Sequence, residues 1–199
     1  ASDMTLQFYL LPYLERFHEK YPKIRVTVTN APTPETLRHL ADGKIDFGIV
    51  STPLDEKKGL RITPVRKIRD VFVAGKKYEH LKGKTLSYRE LMQYPLMCLE
   101  GSTSTRHYVE RFLAGQGVSL SPEFELATSD MLIRFALRNL GIASVVEDFA
   151  AEYLKKEALF QLRFEQEIPE REFCIVSDER IPMSAAAAEL LSCLCAGGG

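Results

Sequence analysis

The sequence predicts an α/β protein of two lobes, and three observations carry that prediction. Residues 5–51 alternate helix, strand, helix and strand, the order that favours a parallel sheet covered by helices. A second set of the same kind runs from "YPLMCLE" (residues 94–100) to "IASVV" (residues 142–146). No low-complexity linker divides the two sets, so the lobes are joined by strands that cross between them. The crossings fall near Val71–Gly75 and Phe164–Ile168. That assigns residues 1–73 plus 166–199 to lobe I and residues 74–165 to lobe II.

The first helix is "LQFYLLPYLERFHEKYP", with Leu6, Leu10, Leu14 and Phe17 on one face at helical spacing. Phe8 and Leu11 add apolar area to a second side, more than one packing face needs. Pro12 should kink this helix or lie in its early turns, and Pro22 ends it. "IRVTVTN" (Ile24–Asn30) alternates as a strand does, and "TPETLRHLADG" follows as a short helix with Thr33 placed to cap it. "IDFGIVS" and "DVFVAG" are short apolar runs and read as strands.

Lobe II repeats the theme: "STRHYVERFLAGQG" and "DMLIRFALRNLG" as helices around the strand "FELATS", with Gly117 and Gly141 placed to stop them. "EDFAAEYLKKEAL" is a further helix, then "LFQLRF" and "EFCIVS" are strands, and a last helix begins near Ser184. The Gly-Gly-Gly end reads as a floppy tail.

Charge narrows the partners. Lys and Arg total 26 against 27 acids, a formal net charge of −1, whereas a nucleic-acid grip rests on a basic excess. "VRKIRD" (Val65–Asp70) and "AGKKYEHLKGK" (Ala74–Lys84) read as solvated faces, so this chain is expected to be a poor DNA binder. No apolar run is long enough to span a bilayer and no signal pattern opens the chain, so a cytoplasmic protein without membrane contact is expected. Cys98, Cys174, Cys193 and Cys195 have no zinc-ligand spacing, so reduced thiols are expected, with no metal and no cofactor.

Chemistry-bearing residues gather just before helices: Ser2–Thr5, Ser51–Pro53, Glu100–Arg106 and Ala127–Met131. Ligands of open α/β sheets bind beyond the carboxyl ends of strands, where helix N-termini offer free N–H groups to anions. Ser, Thr and Asp are also ordinary caps, so any single cluster has a purely structural alternative. "GSTSTR" exceeds what capping needs, with Ser102, Thr103, Ser104 and Thr105 beside Arg106. The histidines and serines fall in no nucleophile motif, and phosphate-loop and dinucleotide fingerprints are missing. Residue chemistry therefore favours ligand binding over catalysis.

The run "LLPYLERFHEKYPKIRVTVTNAPTPETLRHLADGKIDFGIV" resembles the effector-binding domain of LysR-type transcriptional regulators, through LLP-x4-F-x3-YP and L-x-x-G-x-ID-x-x-IV. "ATSDMLIRFALRNLGIASVVED" and "FCIVSDERIPMSAAAAELLSCL" are similar to later segments of that family, in the same order. The resemblance implies a two-lobed, periplasmic-binding-protein-like fold, each lobe a Rossmann-like sheet flanked by helices. It implies an effector cleft between the lobes for a small, expectedly anionic metabolite. The matching contacts are Ser2, Asp3, Met4 and Thr5 in lobe I, and Ser102, Thr103, Ser104, Thr105, Thr128, Ser129, Asp130 and Met131 in lobe II. Arg106 is the nearest counter-ion or, equally, a surface salt bridge. Met4 and Met131 wall the cleft or belong to the core.

The family's effector domains pair side by side. That makes Phe8 and Leu11, with Arg134, Leu137 and Arg138, candidates for a homodimer interface, in a full-length protein that forms tetramers. Both apolar sides packing inside lobe I is the alternative. The family's DNA-binding helix-turn-helix is not in this chain, nor is the first sheet strand expected before Ala1, which would leave lobe I short of a central strand. Glu147 stands where many relatives have a proline. A bacterial effector-sensing, non-enzymatic domain is the reading. A transporter's solute-binding protein is the alternative.

Overall fold

The computed structural model describes residues 1–54 and 59–196; the expected Gly-Gly-Gly tail lies outside the described residues. Two compact units divide the chain, one formed by residues 1–67 and 171–199, the other by residues 68–170. The sequence placed the crossings slightly inside these limits. The difference arises because β3 (Asp70–Ala74) pairs along its length with β7 (Ile142–Val146) and also with β8 (Phe160–Gln161), all in the second unit.

In the first unit, α1 runs as three consecutive segments, Asp3–Thr5, a π-helical turn Leu6–Leu10, and Leu11–Lys20. Pro12 explains the turn. It has no N–H to offer the carbonyl four residues back, and the ladder widens before it, with the Leu11 N–H bonding the Leu6 carbonyl. Tyr9, Leu10 and Phe17 are buried, and the Tyr9 hydroxyl donates to the Leu194 carbonyl (3.0 Å) of α7 (Ala185–Ala196). Helix α2 (Thr33–Ala41) is preceded by Pro32 in the N-cap position, so Thr33 is its first residue and not its cap.

The sheet of this unit has the order β1–β10–β2, from β1 (Gly48–Ser51), β10 (Arg171–Asp178) and β2 (Leu60–Ile68). β1 and β10 are antiparallel. β2 absorbs the "VRKI" residues that read as a solvated face; it lies at the edge of the sheet, the position where a strand proline such as Pro64 is tolerated. "IRVTVTN" forms no strand, which corrects the sequence reading: a strand exists only through a paired neighbour. Leu40, Val50 and Val176 form a buried cluster with Leu37, Ile45 and Ile62 against it.

The second unit holds a five-stranded sheet in the order β6–β5–β7–β3–β8, with β5 (Leu96–Leu99) and β6 (Phe124–Leu126). β5 is parallel to both β6 and β7, as an α/β alternation predicts, while β3 is antiparallel to β7 and β8. "LFQLRF" divides into β8 and β9 (Arg163–Phe164); β9 pairs with the short β4 (Thr85–Leu86). Helices α3 (Tyr88–Leu91), α4 (Ser104–Gly115), α5 (Ser129–Leu137) and α6 (Glu147–Lys155) complete it. Its core gathers Phe72, Leu91, Leu113 and Ile142, with Tyr88 stacked on Phe164 at 4.4 Å between ring centroids.

Gly117 adopts a left-handed φ of +73° just past α4, as expected of a helix stop. Gly141 does a different job. Asn139 (φ +62°) is the left-handed residue after α5, whereas a Cβ on Gly141 would lie 2.8 Å from the Pro95 carbonyl oxygen.

Candidate functional site

In the second unit β5 and β6 pair Leu99 with Leu126 and so end at the same side of the sheet. The Glu100 N–H donates to the Leu126 carbonyl (3.1 Å) and carries the ladder one step further. Each strand then opens into a helix, Glu100–Arg106 into α4 and Ala127–Met131 into α5. Two of the four polar clusters therefore lie side by side, beyond the carboxyl ends of adjacent parallel strands.

Capping fixes their geometry. The Thr103 hydroxyl accepts from the Arg106 N–H (3.2 Å) and donates to the Glu100 carbonyl (3.0 Å). Thr128 caps α5 by accepting from the Met131 N–H at 3.4 Å. Ser102, Asp130 and Met131 are exposed, Ser104 is half-buried, and Thr105 and Ser129 are buried.

Arg106 does not act as an open counter-ion in this structure. It is buried, and its guanidinium donates to Glu110 (2.7 Å) and to the Leu99 carbonyl (3.1 Å), with Glu125 at 3.8 Å. The guanidinium is thus a buried bracket between α4, β5 and β6, while the carboxylates it meets on Glu110 and Glu125 stay partly in solvent. The i,i+4 spacing of Arg106 and Glu110 was the sequence signal for it. Glu147 likewise takes a structural position: it begins α6 and receives the Arg69 guanidinium at 2.9 and 3.0 Å, a pairing that no local spacing announces.

In the first unit Ser2 caps α1 in a reciprocal box with Thr5. The Thr5 hydroxyl accepts from the Ser2 N–H (2.8 Å) and lies within donating distance of the Ser2 (3.0 Å) and Ile49 (3.2 Å) carbonyls. With no exposed surface, Thr5 ties the helix start to β1 and cannot itself touch a ligand in this conformation. Ser2, Asp3 and Met4 are half-buried at the same start. Thr52 is engaged too, its hydroxyl accepting from the Glu172 N–H at 2.8 Å.

The "SDM" letters shared by the two units are out of step. Ser2 is itself the cap of α1, whereas Thr128 caps α5 and Ser129 is its first helical residue. Electrostatics separates the starts further. α1 carries Asp3 and α5 carries Asp130 in the first turn, where each competes with an anion for the positive helix end; the first turn of α4 has no acid.

Of the expected interface residues, Leu11 is 55% exposed, Arg134 and Arg138 are exposed, and Phe8 and Leu137 are half-buried. Among the described residues, no three of His, Cys, Asp or Glu gather to hold a metal ion, and no helix is long and apolar enough to cross a membrane. Burial pushes the Cys98 thiol up to about 12 and the Cys174 thiol to about 11, so neither is a ready nucleophile.

In the second unit the hydroxyl-rich starts of α4 and α5 lie beyond adjacent parallel strands, where α/β sheets hold ligands, and define a ligand-binding class of protein. The LysR substrate binding domain model matches residues 1–197, and the chain belongs to that family. The chain is similar to the "Probable RuBisCO transcriptional regulator" of Cyanophora paradoxa, 23% identical over 193 residues, 94% of this chain and 60% of that protein. It is also similar to the "HTH-type transcriptional activator CmpR" of Synechocystis sp., 22% identical over 143 residues, 72% of this chain and 47% of the relative. The chain thus spans about half to three-fifths of these relatives.

Among solved structures, the regulatory domain of CcmR from Synechocystis PCC6803, in complex with 2-PG, superposes with a TM-score of 0.86 at 18% identity, covering 98% of this chain and 93% of that one. The effector binding domain of QuiR in complex with shikimate gives 0.82 at 14% identity, covering 98% and 92%. The fold is that of these periplasmic-binding-protein-like effector domains.

Proposed function

We propose that this chain is the effector-sensing part of a LysR-type transcription regulator. It binds a small anionic metabolite through the start of α4, with Ser102 and Ser104 as hydroxyl contacts and the neighbouring Thr128–Met131 turn beside them. The observation that carries this reading is the start of α4, rich in hydroxyls, capped by Thr103 and free of acid in its first turn. Relatives solved with 2-PG and with shikimate support a small-molecule ligand. The named relatives are regulators, which favours sensing over transport or turnover.

An effector shifts such a protein only by its differential affinity for two states. Pairing with a second copy through α1 and α5 passes that shift to a DNA-binding segment outside this chain, acting in the cytoplasm. No cofactor enters the scheme.

The test is a thermal-shift screen against small carboxylates, sulfate and amino-acid precursors. A ligand specific for the folded state at about 100 times its Kd stabilises by about 2.7 kcal/mol. The best hit should lose most of its shift in the Ser102→Ala, Ser104→Ala double variant. A shift that survives there rejects the α4 site.

A further inference from the structure

The two helix starts of the second unit differ in charge: α4 opens without an acid, whereas α5 opens on Asp130. Asp130 is exposed, and among the described residues its carboxylate has no ion pair and no hydrogen bond. Ser129, just before it, is 6% exposed, and its hydroxyl is likewise without a partner among the described residues. The buried residues of α5 are Ser129, Leu132, Ile133 and Ala136, one helical face turned to the sheet. At the start of that face, the Ser129 side chain is directed at the strand ends. Unlike the Tyr78 hydroxyl, which is unpartnered but closed off, it keeps some surface of its own.

Topology sets these groups around one crevice. β6 and β7 flank β5 on opposite sides, and all three strands are parallel. The connections from β5 to β6 and from β6 to β7 therefore cross the sheet in opposite directions, and right-handed crossovers put α4 and α5 on opposite faces. Packing agrees: Val109 and Leu113 of α4 share a cluster with Leu96 and Ile142, to which the buried residues of α5 do not belong. The chain thus leaves β5 towards one face and β6 towards the other, and the two turns form opposed lips beyond the strand ends. One lip is made of donors. The N–H groups of Gly101 and Ser102 have no acceptor among the described residues, and nothing lies within 4 Å of a Cβ built on Gly101. The other lip carries the acceptor, Asp130, with the Ser129 hydroxyl beside it.

We propose that the effector is a small acid that also carries a hydrogen-bond donor, a hydroxyl or an ammonium group, and that Asp130 and Ser129 select for that donor; this rests on the α4 site of the proposed function. The acid group accepts from the Gly101 and Ser102 N–H groups and from the Ser102 hydroxyl, and the donor is directed at the Asp130 carboxylate. Adjacent strands lie about 4.8 Å apart, so the donor belongs close to the acid group, as in 2-hydroxy and 2-amino acids. An acid without it sets its charge against that of Asp130 and leaves the Ser129 hydroxyl unmatched. A site built to bond a hydroxyl or amine rejects the analogue that lacks it. The α4 start holds the anion, and the α5 start decides which anion.

The test titrates the chain with two matched sets of acids, propionate, lactate and alanine, then succinate, malate and aspartate, following the amides of Gly101, Ser102 and Ser129 by NMR. In at least one set, the hydroxyl or amino member should bind about tenfold or more tighter than the plain acid. Asp130→Asn should cut that ratio below about threefold and, by removing a like charge, let the plain acid bind more tightly. A merely structural role for Asp130 would weaken all members alike, and that result, or a ratio unchanged in Asp130→Asn, overturns the proposal. Ser129→Ala should weaken the donor-bearing acids and spare the plain ones. Preference for lactate or malate assigns a hydroxyl; preference for alanine or aspartate assigns an ammonium. Equal affinity across each set, with binding still lost in the Ser102→Ala, Ser104→Ala double variant, overturns the selection by Asp130 and leaves the α4 site standing. Binding that ignores the double variant, or no binding by any of the acids, overturns both.

Discussion

The Phe8 carbonyl accepts a hydrogen bond from the Arg66 guanidinium, and Pro12 is the reason it needs one. In a regular α-helix that carbonyl would receive the N–H of residue 12, which proline lacks. A side chain from β2 thus replaces a missing helical bond in α1. Removing Arg66 by substitution to Met should cost about 0.5–1.5 kcal/mol, the net worth of a part-buried hydrogen bond. Pro12→Ala restores the N–H, so Arg66→Met should cost clearly less in that background. Urea unfolding of the four-member cycle measures the coupling; equal costs in both backgrounds would show that the two features are independent.

Gly141 and Gly115 offer a paired contrast. A Cβ at Gly141 would press on the Pro95 carbonyl oxygen at 2.8 Å and on Met97 at 2.9 Å, both in the tightly packed β5 region. Gly141→Ala should therefore destabilise by about 1–3 kcal/mol. Gly115 closes α4 with nothing within 4 Å of a built Cβ, so Gly115→Ala should be neutral or stabilise by up to roughly 1 kcal/mol. Thermal unfolding of the two single variants suffices.

These positions also show what the sequence could and could not reveal. Helices and inner strands were legible because apolar residues repeat at their periods, as in Leu10, Phe17 and the "IASVV" run of β7. Gly141 was expected to stop a helix, yet its role depends on Pro95, far away in the chain. The Ile24–Asn30 alternation predicts a strand that the structure does not form, because a strand is a property of two segments, and the ladder here reaches only Ala1. At the candidate site the hydroxyl clusters were visible as helix starts. The burial of Thr5 and Arg106 was not, because it follows from partners such as Ile49, Leu99 and Glu125.

Asp178 gives a pH dependence with a definite sign. Hydrogen bonds from the Arg180 side chain (2.8 Å) and backbone N–H (2.9 Å) hold its carboxyl down at about 2. A folded-state pKa below the unfolded one contributes stability above the ordinary value of 3.8 that fades as pH falls through about 2. The Tm deficit of Arg180→Ala relative to the parent should thus be largest near about pH 5 and shrink towards about pH 2.5. A deficit that stays constant over that range rejects the assignment.

The four thiols should separate cleanly under native labelling. Cys195 is exposed and Cys193 half-buried, while Cys98 and Cys174 are buried with thiol pKa values pushed up by desolvation. Since the thiolate is the reactive form, Ellman's reagent at about pH 8 should modify Cys195 first and leave Cys98 and Cys174 intact until the chain unfolds. Peptide mass spectrometry of partly labelled protein identifies the order. Early modification of Cys98 would show that β5 opens locally.

Leu11 tests the proposed pairing of two copies. It is 55% exposed on α1, one turn from Phe8. A charge placed there cannot disturb the buried face formed by Tyr9, Leu10 and Phe17, so Leu11→Asp should leave Tm of the isolated fold nearly unchanged. If α1 pairs with α5 of a second copy, the substitution buries an unpaired carboxylate and should weaken the dimer by at least 2 kcal/mol, roughly thirtyfold in Kd. Arg134 and Arg138 are exposed on or beside α5, so a compensating Arg134→Leu should not restore it if the charge itself is the cause. Sedimentation across a concentration series reads both variants. A dimer of unaltered Kd in Leu11→Asp excludes this face of α1 from the interface.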